Sequence, residues 1–134
     1  MSLRLELELE RDSFRPGESV AGAVLVAEGG GSRALEAALV LHEKSPDYDE
    51  APVTVSRELH TGDVQTGQSF DFSLQLPDTA VPGYRSEHGE LYWELDVKSD
   101  EAGFDTHVRR RIEVLPSPRT GEPDLFGANF ADSS

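Results

Sequence analysis

The sequence predicts an all-β domain, an antiparallel β-sandwich of about seven strands. Apolar residues recur at every second position in run after run. Clusters of Pro, Gly, Ser and Asp separate these runs at intervals of roughly 10–20 residues. Apart from one contested stretch, no segment carries a helical period. A chain of 134 residues is one domain by length, and long enough to hold a core without staples. It has no cysteine, which removes disulfides, thiolate metal sites and a cysteine nucleophile.

The first strand is the plainest. Leu3, Leu5, Leu7 and Leu9 alternate with Arg4, Glu6, Glu8 and Glu10, giving one apolar face and one acidic, wet face. The corner FRPGES follows, with Pro16 presetting φ and Gly17 accepting a positive one. Phe14 is expected to plug the open end of the sandwich. Val20, Val24 and Val26 share a face of the second strand, and Gly22 between them marks a bulge or a close backbone approach. EGGGS (28–32) reads as a flexible connection.

RALEAALVLHEK (33–44) is the contested stretch. Its Ala, Leu and Glu content favours a helix, on which Leu35, Leu39 and His42 share a face. As a strand it aligns Leu35, Ala37, Leu39 and Leu41 instead. Ser32 offers a cap, but Leu35 stands where a capping box needs Glu or Gln. Strands on both sides favour the strand.

SPDYDEAP (45–52) reads as an acidic loop, VTVSRELH as a strand, and TGDVQTG (61–67) as a hairpin-like connection. SFDFSLQLP places Phe70, Phe72, Leu74 and Leu76 on one face and stops at Pro77. DTAVPGYRSEHG reads as a loop of about a dozen residues. ELYWELDVK then alternates Leu91, Trp93, Leu95 and Val97 against Glu90, Tyr92, Glu94, Asp96 and Lys98, which makes Trp93 a core residue. FDTHVRRRIEVL is the last strand. From Pro116 the pattern dissolves, so residues 1–115 are assigned to the sandwich and 116–134 to a tail. Sheets with one apolar face must pack face to face, which gives an immunoglobulin-like sandwich without its cysteine pair.

Two blocks resemble a known family. The run F-x-P-G-E-x-V-x-G-x-V from Phe14 to Val24 is similar to the start of the arrestin-like N-terminal domain. G-x-x-F-x-F-x-L-x-L-P (Gly67 to Pro77), then Pro82 and G-x-L-Y-W-x-L from Gly89, agree in order and spacing. Arrestins, alpha-arrestins, retromer subunits of that type and bacterial sporulation-control proteins carry such blocks. The resemblance spans about residues 1–115 and implies a protein-binding scaffold rather than a catalyst. Such proteins usually pair two sandwiches, whereas this chain has one and a tail. Receptor-binding members sense phosphate with early basic residues. Here that face is Glu6, Glu8 and Glu10, so phosphate recognition does not carry over.

Chemistry finds little purchase. His42, His60, His88 and His107 lie on four segments without metal-ligand spacing, although His88 sits beside Glu87 and Glu90. The Asp47–Glu50 stretch lacks the pattern of a calcium loop and leaves ion binding open. Neither a nucleophile elbow nor a phosphate-binding glycine loop occurs. Arg109, Arg110 and Arg111 form the one basic cluster. Arg109 and Arg111 are expected to pair with acidic neighbours. Arg110 is in phase with Val108, Ile112 and Val114, so it is directed inward and needs a partner or a route to water.

The expectation is therefore a non-catalytic adaptor or scaffold without cofactor or metal. The alternative is a small-ligand or carbohydrate-binding module using Tyr84, Tyr92 and Trp93. A net charge of −14 disfavours nucleic acid and anionic lipid as partners. Neither a secretory leader nor a membrane-length apolar run is visible, so the cytoplasm is the expected location. Leu125, Phe126 and Phe130 are apolar islands in the tail and the candidate contacts for a protein partner. Open strand edges are also a route to homo-oligomers, which the acidic row of strand one opposes.

Overall fold

The computed structural model describes residues 3–46 and 48–116, the side chains of 48–50 and 52 excepted. Among them are nine strands: β1 (Arg4–Leu9), β2 (Ser13–Phe14), β3 (Ser19–Glu28), β4 (Ala34–Ser45), β5 (Tyr48–Thr61), β6 (Ser69–Gln75), β7 (Tyr84–Ser86), β8 (Gly89–Asp100) and β9 (Asp105–Val114). Seven are long, as expected; β2 and β7 are short additions. A small sheet has the order β1-β3-β6, and a large one β2-β9-β8-β4-β5, with β7 on the start of β8. The sheets meet along two seams, where β1 lies beside β9 and β6 beside β5.

Alternation builds the core. Leu5 and Leu7 of β1 pair in register with Val26 and Val24 of β3, and their side chains point toward the large sheet. Opposite them lie Leu35, Leu39, Trp93, Leu95 and Val97, each no more than 1% exposed. Gly22 sits where β1 and β3 come closest; a Cβ there would collide with the Glu8 carbonyl and press on the Leu9 side chain.

The contested stretch is a strand. β4 lies between β5 and β8 and buries Leu35, Ala37, Leu39 and Leu41. Burying one leucine is worth about 1.5–3 kcal/mol. The helical preference it opposes is a few tenths of a kcal/mol per residue. Three leucines on one pleated face therefore override the propensity of Ala and Glu.

Four local expectations need correction. SPDYDEAP is not a loop: β4 runs to Ser45 and β5 starts at Tyr48, so the two form a long tight hairpin. TGDVQTG is not a hairpin, because it carries the chain from β5 in the large sheet to β6 in the small one. Gly62 and Gly67 make its corners at φ of 100° and 92°. EGGGS is held against it: Gly30 pairs with Val64, the Gly29 amide donates to Thr66 Oγ1 at 2.9 Å, and the Ser32 amide donates to Asp63 Oδ1 at 3.1 Å. The long loop before β8 contains β7, which pairs with residues 89–91.

The FRPGES corner now has a reason for each residue. β2 pairs with β9 in parallel, the exception in an otherwise antiparallel fold. The Glu113 amide donates to the Asp12 carbonyl and the Leu115 amide to that of Phe14, both at 2.8 Å. Phe14, 1% exposed, enters the core beneath this clasp, with the Arg11 guanidinium 4.8 Å from its ring centroid. Gly17 turns the chain at φ 85°. Glu18 Oε1 accepts the Arg15 amide at 2.7 Å and lies 3.2 Å from Arg11. The Arg15 amide, with help from Arg11, holds the Glu18 carboxyl below the usual carboxylate range.

Candidate functional site

The site grows from a conflict over one strand edge. On the side of β8 away from β4, β9 pairs with Trp93–Asp100, and Ile112 stands opposite Trp93. Two residues earlier, at Leu91, the same edge is taken by Tyr84 of β7. β9 cannot continue along β8, so its last residues turn to β2. The strands part there as a fork, and the gap is an open groove of about 710 Å³. Tyr84, Arg85 and Tyr92 line one wall, and Asp12, Glu113 and Pro116 the other.

Backbone geometry adds to the gap. Glu113 and Leu115 direct their amides to β2. Successive residues of a strand present backbone groups to opposite edges, so Val114 presents its own toward the fork.

The floor is charged but internally matched. Arg111 Nη1 donates to Glu90 Oε2 at 2.7 Å, and its guanidinium carbon lies 3.7 Å from the Tyr92 ring centroid. From the β4 side His42 stacks on the same ring, with centroids 4.8 Å apart, and its Nε2 lies 3.0 Å from Glu94 Oε1. The Arg111 hydrogen bond holds the Glu90 carboxyl below the usual range, and Glu90 in turn raises the Arg111 guanidinium. Tyr84 on the wall is 66% exposed, and Val81, outside the groove in the loop that leads to it, is 43% exposed. Trp93 Nε1 donates to the Val81 carbonyl at 2.8 Å, so the buried indole anchors the loop that displays them.

The fork can grip an extended chain between aromatic and polar walls. Among the described residues no three His, Asp or Glu side chains gather as metal ligands. His60 Nε2 donates to the Asp63 carbonyl at 3.1 Å, His107 Nδ1 donates to Asp96 Oδ1 at 2.9 Å, and His88 lies 3.5 Å from Glu87. The four histidines are as dispersed as their spacing implied.

Of the aromatic candidates, Trp93 is core, as its phase required, and the Tyr92 ring is covered by Arg111 and His42. A stacking platform for sugar is thereby reduced to Tyr84. Arg109 and Arg111 pair with Asp96 and Glu90. Arg110 is exposed rather than turned into the core as its phase predicts; it reaches across the seam and donates to the Leu7 carbonyl at 3.1 Å. Leu125, Phe126 and Phe130 lie outside the described residues, as do the side chains of Asp47–Glu50. The fork itself was not read from the sequence. Its walls come from positions 12, 84 and 113, and the one available signal was an exposed Tyr beside Pro-Gly.

No helix of the described residues is long and apolar enough to cross a membrane. No family model matches the sequence, and none of the curated protein sequences is significantly similar to it. Solved structures do match. The sporulation control protein Spo0M from Bacillus subtilis superposes with a TM-score of 0.64 over 88% of this chain, at 23% identity. The match takes in 51% of that protein, so this chain spans about half its length. An all-β sandwich of two sheets, with this likeness over nearly all its length, has the arrestin-like fold.

Proposed function

We propose that the chain is a non-catalytic protein-interaction module, an adaptor or scaffold working in the cytoplasm, which receives a segment of a partner protein in the fork between β7 and β9. The observation that carries this reading is Tyr84. A large aromatic stands 66% exposed on a wall of an open groove, three residues after the loop position Val81 whose carbonyl the buried Trp93 holds. Aromatic anchors of this kind dominate binding energy at protein interfaces. The apolar tail residues Leu125, Phe126 and Phe130 are a second contact that the sequence proposes.

Photo-crosslinking tests the fork directly. A benzophenone side chain at position 84 should capture a defined partner in the native cell. The same group at Phe104, equally exposed at 62% in the β8–β9 turn, should not. Equal capture from both positions, or from neither, would overturn the fork as the site.

A further inference from the structure

Across the outer face of the small sheet, acidic side chains stand in rows. Ladder register places Glu8 of β1, Ala23 of β3 and Asp71 of β6 in one row across the sheet. The neighbouring row is Glu6, Leu25 and Ser69. Adjacent strands lie about 4.8 Å apart, so the backbones bearing Glu8 and Asp71 are about 10 Å apart. Between them the short side chains of Ala21 and Ala23 leave a trough, part of an open groove of about 660 Å³ that Arg110 of β9 also lines, its guanidinium donating to the Leu7 carbonyl at 3.1 Å and in no ion pair with Glu8 or Asp71.

Among the described residues no cation lies within ion-pair distance of Glu6, Glu8 or Asp71, and none of the three has a further partner. The one cation on these three strands is Arg4, and it is turned to Glu28 at 3.6 Å. The carboxylates are therefore held by the ladder on a flat sheet, with their charge directed outward.

We infer that this face is a docking surface for a basic, extended segment of a partner protein, with a lysine or arginine laid across Ala23 between Glu8 and Asp71. Such a side chain rests its methylene stem on alanines and keeps its cationic head in water near both carboxylates. Charge complementarity selects the occupant. A second copy of the chain would set Glu6, Glu8 and Asp71 against the same groups, and like charges across an interface cost several kcal/mol. Nucleic acid and anionic lipid are repelled for the same reason. The surface is separate from the fork, which is built on the other sheet, so either can fail without the other.

The probe is a capped ten-residue peptide of alternating lysine and threonine, titrated into the full chain at physiological salt and followed by amide chemical shifts. Shifts should concentrate at residues 6–9, 21–25 and 69–73. The triple variant Glu6→Gln, Glu8→Gln, Asp71→Asn should weaken binding about tenfold, the combined effect of three exposed ion contacts. The triple Glu36→Gln, Glu58→Gln, Glu87→Gln removes the same charge elsewhere and should change affinity by less than about twofold. Ala23→Arg, which fills the trough with the chain's own cation, should also weaken binding. Equal losses in the two triples would mean that net charge alone attracts the peptide, and would overturn the inference. So would absence of binding to the native chain, or shifts scattered over the surface. Melting curves of all variants guard against misfolding, and the two triples decide the matter even if Ala23→Arg does not fold.

Discussion

The two outer faces of the sandwich handle charge in opposite ways. On the large sheet the acids of β8 are matched. Asp96 takes His107 at 2.9 Å and Arg109 at 3.4 Å, Glu90 takes Arg111, Glu94 takes His42, and Arg33 lies 3.8 Å from Asp100. On the small sheet Glu6, Glu8 and Asp71 stand without a counter-charge among the described residues. Both faces are pleated, alternating and solvent-facing, so secondary structure does not account for the difference. Position in the chain does: β8 and β9 carry acids and bases in facing registers, while β1 and β6 meet only the alanines and Leu25 of β3. A matched face supports the fold, and an unmatched one keeps its field for something outside.

The comparison is confined to outer surfaces, and the largest expected effects test that boundary. Trp93→Ala should cost about 3–5 kcal/mol in urea unfolding, because the indole is 1% exposed and fills the core beneath the fork. A loss below about 1 kcal/mol would show that the large sheet does not carry the interior. Gly22→Val probes the other sheet. Its side chain would press on the Glu8 carbonyl and on Phe72, and overpacking of this kind costs about 1–3 kcal/mol. Faster proteolysis within β1 should accompany it.

Smaller effects separate the faces themselves. Asp96→Asn should destabilise by about 0.5–1 kcal/mol, since it loses its pairing with Arg109 and His107 in partial contact with solvent. Glu8→Gln, which loses no partner, should stay within about 0.5 kcal/mol and lean toward stabilisation. The same sign for both variants would erase the distinction.

The pH dependence follows the same division. Glu90 and Glu18 have carboxyl pKa values lowered in the folded state, by the Arg111 hydrogen bond and the Arg15 amide. A depressed pKa contributes stability that is present above the ordinary carboxylate value and lost as pH falls through the folded one. The melting temperature should therefore decline below about pH 4.5, and Glu90→Gln should flatten part of that decline. Light scattering should show association as pH approaches the isoelectric region near 4.5, and the Glu6, Glu8, Asp71 triple should bring its onset nearer neutrality.

The legible and the hidden parts of the molecule differ in physical kind. β1, β6 and β8 announced their buried faces by period-2 alternation, because that face is set by the local pleat: Leu5 and Leu7, Phe72 and Leu74, Trp93 and Leu95; β4 also fitted a helix, and the start of β5 read as a loop. Trp93 as core was read from phase alone, whereas the same reasoning turned Arg110 inward and the structure leaves it exposed. Phase could not supply the partner of Arg110, a carbonyl 103 residues away. Sheet membership was hidden as well. TGDVQTG has the glycines of a hairpin, yet whether the chain reverses or crosses depends on which sheet has an open edge. β7 was missed because Tyr84, Arg85 and Ser86 are all exposed, so the strand has no apolar face to betray it. The fork shares that fate, being defined by strands that separate rather than by residues that cluster. The acidic row of β1 was visible from the first line, but its alignment with Asp71 required the β3–β6 register.

The parallel clasp of β2 on β9 bears on how the chain is made. During synthesis β1, β3 and β6 emerge early and can assemble the small sheet by themselves. The second residue pair of the corner, Phe14 with Val114, cannot form until residue 114 has left the ribosome. Contacts so distant in sequence are slow to form, because loop closure must precede their reward. Until then Phe14 has no lid and the β9 edge of β8 stands open, apolar and unpaired. Between the emergence of β8 and that of β9 a nascent chain is thus most exposed to wrong partners, and a chaperone that helps it should recognise β8 rather than the acidic strand β1.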